Sequence, residues 1–275
     1  MSLSVFCLVL FAALMHAGWN AIVKGATDKL MTTVLVSGFA ALVSVCALPF
    51  LPAPSPGSWP FLVISPLLQA LYFALVARCY HVWDMSQAYP LMRGAAPLLV
   101  AVIGALWLGE HLGLIASAGI AVICLGVLAM ALGSGRLHHA GLPLLNAAVI
   151  AGYTLLDAAG ARRAGSSLGY TLWLFALTAL PLLGWALLTE RARFIAQLQQ
   201  NATRGLAGGI GTLLSYGLAL WAMTQAPVAL VAALRESAIL FGLAISALVL
   251  KERPPRRRLM AAGIIALGEV LLRLS

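Results

Sequence analysis

Two arginines occur at matching places inside long apolar segments of the sequence. Arg93 and Arg235 each precede a glutamate by 17 residues, Glu110 in one segment and Glu252 in the other. A planar guanidinium group can bind both oxygens of a carboxylate or phosphonate, so this pair predicts a site for an oxyanion. Glu236 directly follows Arg235, where it would neutralise the arginine or receive an amino group.

These arginines also have a simpler interpretation. At about 1.5 Å per helical residue, each arginine lies about 25 Å from its glutamate. It would therefore lie roughly 5–10 Å inside one edge of an apolar layer about 30 Å thick. From that depth a long side chain reaches the polar boundary by snorkelling. The recurrence in both segments favours a binding role, because each buried charge raises the insertion free energy by ~2.5–3.5 kcal/mol.

Other polar residues share helical faces within the apolar segments. His16, Asn20 and Lys24 are spaced i, i+4 and i+8 in the first segment, and Trp19 flanks them. A second stripe lies in the sixth segment, and the third and eighth each contribute a tyrosine. Interhelical hydrogen bonding is the alternative role, since such residues often join helices in bundles. The candidate binding residues are His16, Trp19, Asn20, Tyr72, Arg93, Tyr153, Asp157, Tyr216, Arg235 and Glu236.

The composition places these residues in a membrane protein. Of the 275 residues, 62% are hydrophobic and 9% are charged, whereas a soluble domain has about 25% charged residues. The formal charge of +9 does not indicate nucleic-acid binding, because the basic residues lie in short loops where they would meet lipid headgroups. The lipid bilayer is therefore the expected surrounding partner.

A bilayer core about 30 Å thick requires about 20 mostly apolar residues per helix. This length predicts an all-α membrane protein with ten transmembrane helices and no soluble domain. No segment shows the two-residue alternation of a membrane barrel strand. The ten predicted spans are 3–23, 31–51, 60–80, 86–108, 113–133, 141–160, 168–188, 205–225, 228–250 and 257–273.

The sequence contains an internal repeat. A shift of 142 residues aligns Arg93 with Arg235 and Glu110 with Glu252, with 8 identities in 18 positions. The two five-helix halves are predicted to be residues 1–137 and 138–275. Because five is odd, the second half would enter the membrane inverted. Such inverted repeats are typical of carriers that bind their substrate near the midplane and use alternating access.

Several short motifs resemble the EamA branch of the drug/metabolite transporter superfamily. The first helix contains His16-Ala-Gly-Trp19-Asn20, and the fourth ends at Leu108-Gly109-Glu110. A glycine-rich fifth helix follows, and the second half contains Leu250-Lys251-Glu252. The resemblance implies a ten-helix carrier of amino acids, metabolites or drugs, usually without a bound cofactor.

The charge distribution and the family resemblance predict opposite orientations. Loops after odd-numbered spans carry 12 Lys and Arg residues, and the opposite side carries three. Because cytoplasmic loops are enriched in these residues, the count predicts both termini outside. The family resemblance implies both termini inside.

The function that these features favour is secondary active transport of a small polar metabolite through a bacterial cytoplasmic membrane. The substrate would be an amino acid, another zwitterion or an organic anion such as a phosphonate. No ATP-binding domain is apparent, so a gradient would drive transport. A coupling proton could be carried by His16, Asp157, Glu236 or Glu269.

The sequence leaves two other functions open. An exporter of bulky amphipathic drugs or cations would need a cavity rich in acids and aromatic residues, which the two arginines oppose. An intramembrane lipid-processing enzyme or a scaffold is the alternative from another class. HExxH and phosphate-binding-loop motifs are absent, and His138-His139 has no metal-ligand partner, so we expect neither an enzyme nor a metal site.

Overall fold

The structure, a computed structural model, describes residues 1–82, 85–130, 140–248, 251 and 255–275. These residues form eleven α-helices joined by short connections, without a strand in the described ranges, which confirms the all-α prediction. The helices are α1 Leu3–Lys24, α2 Lys29–Ala47, α3 Trp59–Val82, α4 Met85–Trp107, α5 Leu114–Ala129, α6 Gly141–Arg163, α7 Ser167–Thr189, α8 Arg191–Gln225, α9 Val228–Leu234, α10 Ala238–Leu248 and α11 Arg256–Leu274.

The helices match the predicted spans with two differences in form. Eight segments among the described residues are long and apolar enough to cross a bilayer. The ninth predicted span consists of α9 and α10, joined by a 3₁₀ turn at Arg235–Ser237. Helix α5 has 16 residues and is shorter than any of these eight segments. The chain is a multi-pass integral membrane protein.

Helix α8 begins earlier than the sequence indicated. Residues from Glu190 to Arg204 were expected to separate two spans, but α8 runs from Arg191 to Gln225. At Asn201 the backbone is non-helical, with φ −132° and ψ 23°, so a kink separates the surface segment 191–200 from the membrane part. Arg193 Nε donates to Asp28 Oδ2 at 2.6 Å, which ties this segment to the start of α2.

Helices α5 and α11 cross in close contact. A Cβ atom at Gly126 would lie 3.1 Å from the Ala261 carbonyl oxygen, and one at Gly268 would lie 2.9 Å from the Gly119 oxygen. Gly119 thus contacts Gly268, whereas Gly126, later on α5, contacts Ala261, earlier on α11. The two helices are therefore antiparallel. The 142-residue shift converts Gly126 into Gly268 and Gly119 into Ala261, and therefore exchanges the two contacts.

Other features exchange under the same shift. The shift relates α1, α2 and α3 to α6, α7 and α8. The contact of α1 with α8 therefore corresponds to that of α3 with α6, and the contact of α2 with α8 corresponds to that of α3 with α7. Gly109 and Lys251, which are equivalent, both have left-handed backbone, with φ of 66° and 54°. Glu252 lies outside the described residues. The inverted repeat itself stays a prediction that these contacts support.

The helix ends define two faces of the molecule. The basic face contains the ends of α1, α5 and α7 and the starts of α2 and α11, as the contact between Arg193 and Asp28 illustrates. The sealed face contains the connections after α2, α4, α6 and α8. There, Ser55 donates through its backbone nitrogen to the Ala164 oxygen at 3.1 Å and through its hydroxyl to the Arg163 oxygen.

Candidate substrate-binding site

The first element of the site is an ion pair between the two halves of the chain. Arg93 lies on α4, between the prolines Pro90 and Pro97 of that helix. Its Nη2 lies 2.9 Å from Glu236 Oε1, and its Nε donates to Glu236 Oε2 at 3.3 Å. The side chains are 14% and 4% exposed. Because Arg93 is directed at a buried carboxylate, the snorkelling interpretation does not describe its position.

Arg235 has a different environment, although the repeat makes it equivalent to Arg93. It lies in the 3₁₀ turn between α9 and α10, is 9% exposed, and places Cζ 5.0 Å from the centroid of the Tyr216 ring. In the described parts of the chain, no carboxylate lies within ion-pair distance of Arg235. Its contact with Tyr216 is a cation–π interaction.

Glu236 has no counterpart in the first half. The equivalent residue is Gly94, where a Cβ atom would lie 2.9 Å from Leu128 Cγ. Packing between α4 and α5 therefore leaves no room there for a second carboxylate. Among the described residues, the wall of this charge cluster holds two guanidinium groups and the carboxylate of Glu236, and the 142-residue sequence match is interrupted at this position.

A small cavity lies at this charge cluster. It has a volume of about 20 Å³, enough for one water-sized group. The structure brings four of the candidate residues together in its wall, namely Arg93, Tyr153, Arg235 and Glu236. Thr154 is a further member, on the same helix as Tyr153.

Asp157 forms a second polar cluster next to the first. Its carboxylate is fully buried and accepts hydrogen bonds from Tyr216 at 2.6 Å, Tyr170 at 3.1 Å and Gln69 at 3.4 Å. Tyr216 therefore lies between Asp157 and Arg235. The Tyr72 ring lies 6.0 Å from that of Tyr153 in an edge-to-face arrangement, which places it at the margin of the small cavity.

A larger cavity lies between α1 and α10, on the side of the basic face. Its volume is about 490 Å³, within the range of roughly 300–1,000 Å³ common for small-molecule sites. Its polar lining comes from His16, Asn20, Lys24, Ser246 and Arg258, and its apolar lining comes mainly from α10. Lys24 and Arg258 belong to the helix ends at the basic face, so the cavity mouth carries positive charge.

The comparisons with known proteins agree with this architecture. Residues 141–274 match the model of the EamA-like transporter family. This second half of the chain belongs to the EamA-like transporter family. The resemblance drawn from the sequence motifs is thereby confirmed.

Solved structures show that the likeness in fold extends over the whole chain. Among 26 matching chains, one crystal structure covers 98% of this chain and 98% of its own, with a TM-score of 0.74 and 18% identity. At that identity the match describes the fold alone. No curated protein matches the chain.

Two of the candidate residues, Trp19 and Asn20, make structural contacts within the helix bundle. Trp19 lines neither cavity: its ring packs edge-on to His16 at 5.3 Å, and its Cβ lies 3.2 Å from a Cβ built at Gly211 of α8. Asn20 lines the large cavity while its Nδ2 donates to the His16 carbonyl oxygen at 2.7 Å. Tyr72, Asp157 and Tyr216 lie behind the small cavity.

The sealed face is held by a charge network that the sequence did not indicate. Arg162 Nη2 lies 2.7 Å from Glu110 Oε1, and its Nε donates to the Met223 carbonyl oxygen at 2.9 Å, near the end of α8. Glu110 Oε2 accepts from Val228 N at 2.9 Å, at the start of α9. Each charge complements the dipole of the helix end that it contacts. Glu110 thus joins the two halves.

Sequence reasoning missed Arg258 and Tyr170. Arg258 is the last residue of a basic run at the start of the tenth predicted span and is absent from the candidate binding residues, but it lines the large cavity from the first turn of α11. One feature of the sequence could have pointed to a bulky side chain beside Asp157: Gly160 follows it by three residues on α6. A Cβ atom there would lie 2.5 Å from the Tyr170 hydroxyl, so the glycine leaves the space that the tyrosine occupies.

Proposed function

We propose that this chain is a secondary active transporter that moves a small metabolite bearing an oxyanion across the membrane by alternating access. The two proposed repeats are residues 1–137 and 138–275, and the proposed location is a bacterial cytoplasmic membrane. Amino acids, other zwitterions and organic anions such as phosphonates meet the requirement. The family assignment supports transport, and the charge cluster supports the substrate class.

The single observation behind the substrate class is the imbalance of charge around Arg235. Arg93 and Glu236 neutralise each other through two contacts, whereas Arg235 faces an aromatic ring. A buried charge without a counter-ion is unfavourable, so an entering anion would gain the full interaction. A carboxylate or phosphonate oxygen fits a guanidinium fork better than an ammonium.

Three further features support alternating access. The large cavity opens on the basic face, while Glu110 and Arg162 close the other face. Contacts between α5 and α11 exchange under the repeat shift, as a two-fold axis in the membrane plane would require. Arg93 and Arg235 come from opposite halves and meet at one cavity. A carrier that rocks between two orientations would bring each face to this cavity in turn.

A specific observation favours a second candidate, an exporter of amphipathic compounds. The wall of the large cavity is mostly apolar, with Ile239, Leu243 and Ile245 from α10. A molecule with a sizeable apolar part would fit this wall. The positive mouth at Lys24 and Arg258 opposes cations, so this candidate also predicts an anionic group on the compound.

The test is a thermal-shift screen of the purified protein against anionic, zwitterionic and cationic metabolites, followed by substitution. We expect anions to raise Tm, because ligand binding to the folded state stabilises it. Arg235→Lys should raise the apparent Kd about tenfold or more and thereby reduce the Tm shift, since lysine lacks the planar fork.

Arg163→Lys is the matched control, because Arg163 lies over the Phe61 ring and away from both cavities. It should leave the ligand-induced shift unchanged. Equal shifts in Arg235→Lys and the wild type, or stabilisation by cations in place of anions, would contradict the proposed oxyanion site.

A further inference from the structure

Asp157 has contacts that differ from those of the other buried charges in the described chain. It is 0% exposed, and it accepts hydrogen bonds from the hydroxyl groups of Tyr170 and Tyr216 and the amide of Gln69. Burying a carboxylate without a cation is costly even when neutral donors surround it. A group of this kind is stable in the membrane core as a neutral acid as well as an anion.

The charged groups around Asp157 are engaged elsewhere. Among the described residues of the elements that pack on α6, Arg93 of α4 pairs with Glu236, and Arg235 lies beyond the Tyr216 ring. On α6 itself, Arg162 pairs with Glu110 at the sealed face. The remaining titratable neighbours are the tyrosines, which are Tyr153 on α6, Tyr170 on α7 and Tyr216 on α8; α3 contributes the uncharged Ser65 and Gln69.

The position of Asp157 joins both halves of the chain. Gln69 comes from α3 of the first half, whereas Tyr170 and Tyr216 come from α7 and α8 of the second. Tyr216 connects the carboxylate to the substrate site, because its hydroxyl donates to Asp157 Oδ2 while its ring carries the Arg235 guanidinium. A change in the charge of Asp157 therefore acts on Arg235 through one side chain.

We propose that Asp157 is the proton-binding residue of this transporter, and that Tyr216 couples its protonation to Arg235. The proposal rests on the proposed transport function for its physiological meaning. In the proposed step, a proton adds to Oδ2, which then donates to the Tyr216 hydroxyl, so that this hydrogen bond reverses. The hydroxyl hydrogen of Tyr216 then needs another acceptor, so the ring below Arg235 changes its orientation or its contacts.

The experiment measures proton uptake by the purified full-length protein during stepwise acidification, with a pH-indicator dye and no metabolite added. Asp157→Asn keeps the shape and one carbonyl acceptor but removes the titration. The wild type should take up one proton more than Asp157→Asn. Uptake by Asp157→Asn equal to that of the wild type would overturn the proposal and leave Asp157 as a hydrogen-bonding hub.

A second measurement serves if Asp157→Asn does not fold. Infrared difference spectra of the wild type should show a protonated carboxyl band that appears on acidification. Tyr216→Phe, which removes the donor at 2.6 Å, should move this band and change the pH midpoint of the uptake. A band and midpoint unaffected by Tyr216→Phe would also overturn the proposal.

The two proposals fail separately in these measurements. Proton uptake needs no substrate, so a protein that takes up the Asp157 proton but is not stabilised by any anion contradicts the oxyanion site alone. Anion stabilisation together with unchanged uptake in Asp157→Asn contradicts the proton site alone.

Discussion

The two arginines at the centre of the molecule occupy related positions in the proposed repeat, but only one of them is followed by a carboxylate. Glu236 faces Arg93 of the other half, and Gly94 occupies the place of a second glutamate. An exactly symmetric site would hold two neutral pairs and would give an anion no net attraction. The loss of one carboxylate to a tight helix contact therefore creates the excess positive charge on which the proposed binding depends.

A prediction at this scale concerns Glu236. Glu236→Gln removes the carboxylate charge that Arg93 contacts at 2.9 Å, so we expect the protein to lose about 3–5 kcal/mol of stability. Thermal unfolding in one detergent measures the loss as a lowered Tm. The double variant Arg93→Gln with Glu236→Gln removes both charges and should regain part of it. A Tm of Glu236→Gln equal to that of the wild type would mean that the ion pair is not the major partner of Arg93.

The residues could be nominated from the sequence better than their partners could. The intramembrane positions of Arg93, Arg235 and Asp157 followed from composition alone, since each charge stands in an apolar segment. The pairing of Arg93 with Glu236 did not follow, because sequence adjacency favoured Arg235 as the partner of Glu236. Backbone direction decides this contact, and the 3₁₀ turn at Arg235–Ser237 directs the neighbouring side chains to different sides.

Whole helices were more predictable than the connections between them. Hydropathy and length determine where a chain can cross a bilayer, and the spans followed from both. The surface segment 191–200 lies between the predicted spans 168–188 and 205–225, because its charges and amides favour water. A helix can also lie at the interface with its charges outward, and the contact of Arg193 with Asp28 holds it there. Charge content alone does not distinguish these cases.

The contact of α5 with α11 gives a prediction for an element. Gly268→Ala would place a Cβ atom 2.8 Å from Ile123 N and 2.9 Å from the Gly119 oxygen, both backbone atoms. The helices must separate, and we expect a loss of about 1–3 kcal/mol in stability. Gly263→Ala on the same helix is the control, because nothing lies within 4 Å of its added Cβ. Equal melting temperatures of the two variants would contradict the close crossing.

The start of α2 gives a prediction with pH. Partial burial opposes ionisation of Asp28, but the Met31 N–H and Arg193 hold its pKa below the usual value. Because the pKa of Asp28 is lowered in the folded protein, its contribution to stability is complete above the pKa of the unfolded chain, about 3.9. That contribution is lost as the pH falls through the folded pKa. The protection of the amides of segment 191–200 from hydrogen exchange, measured against the intrinsic exchange rate at the same pH, should fall in that acidic range. Asp28→Asn should show fast exchange already at neutral pH, and slow exchange there would be evidence against the tie.

At the scale of the whole molecule, the structure differs between its two faces. The large cavity opens beside Lys24 and Arg258, while Glu110 and Arg162 close the opposite side. The sequence could not predict which face is open, because the two halves have similar composition and an alternating carrier would adopt both arrangements. It does predict the side on which the basic face lies, since Lys and Arg are retained in the cytoplasm during insertion.

The last prediction therefore combines the open cavity with the 12-to-3 distribution of Lys and Arg between the faces. We expect the basic face to be cytoplasmic, and the cavity to open there.

The probes are single cysteines introduced in a background whose four native cysteines are replaced by alanine. Ala21→Cys, in the large cavity, should react with an impermeant thiol reagent applied from the cytoplasmic side. His111→Cys, exposed on the sealed face, should react from the outside, as should a cysteine added after Ser275. Reaction of Ala21→Cys from the outside together with His111→Cys from the cytoplasm would reverse the orientation and favour the family habit, in which both termini are cytoplasmic. Reaction of both from one side would contradict the assignment of Ala21 and His111 to opposite faces.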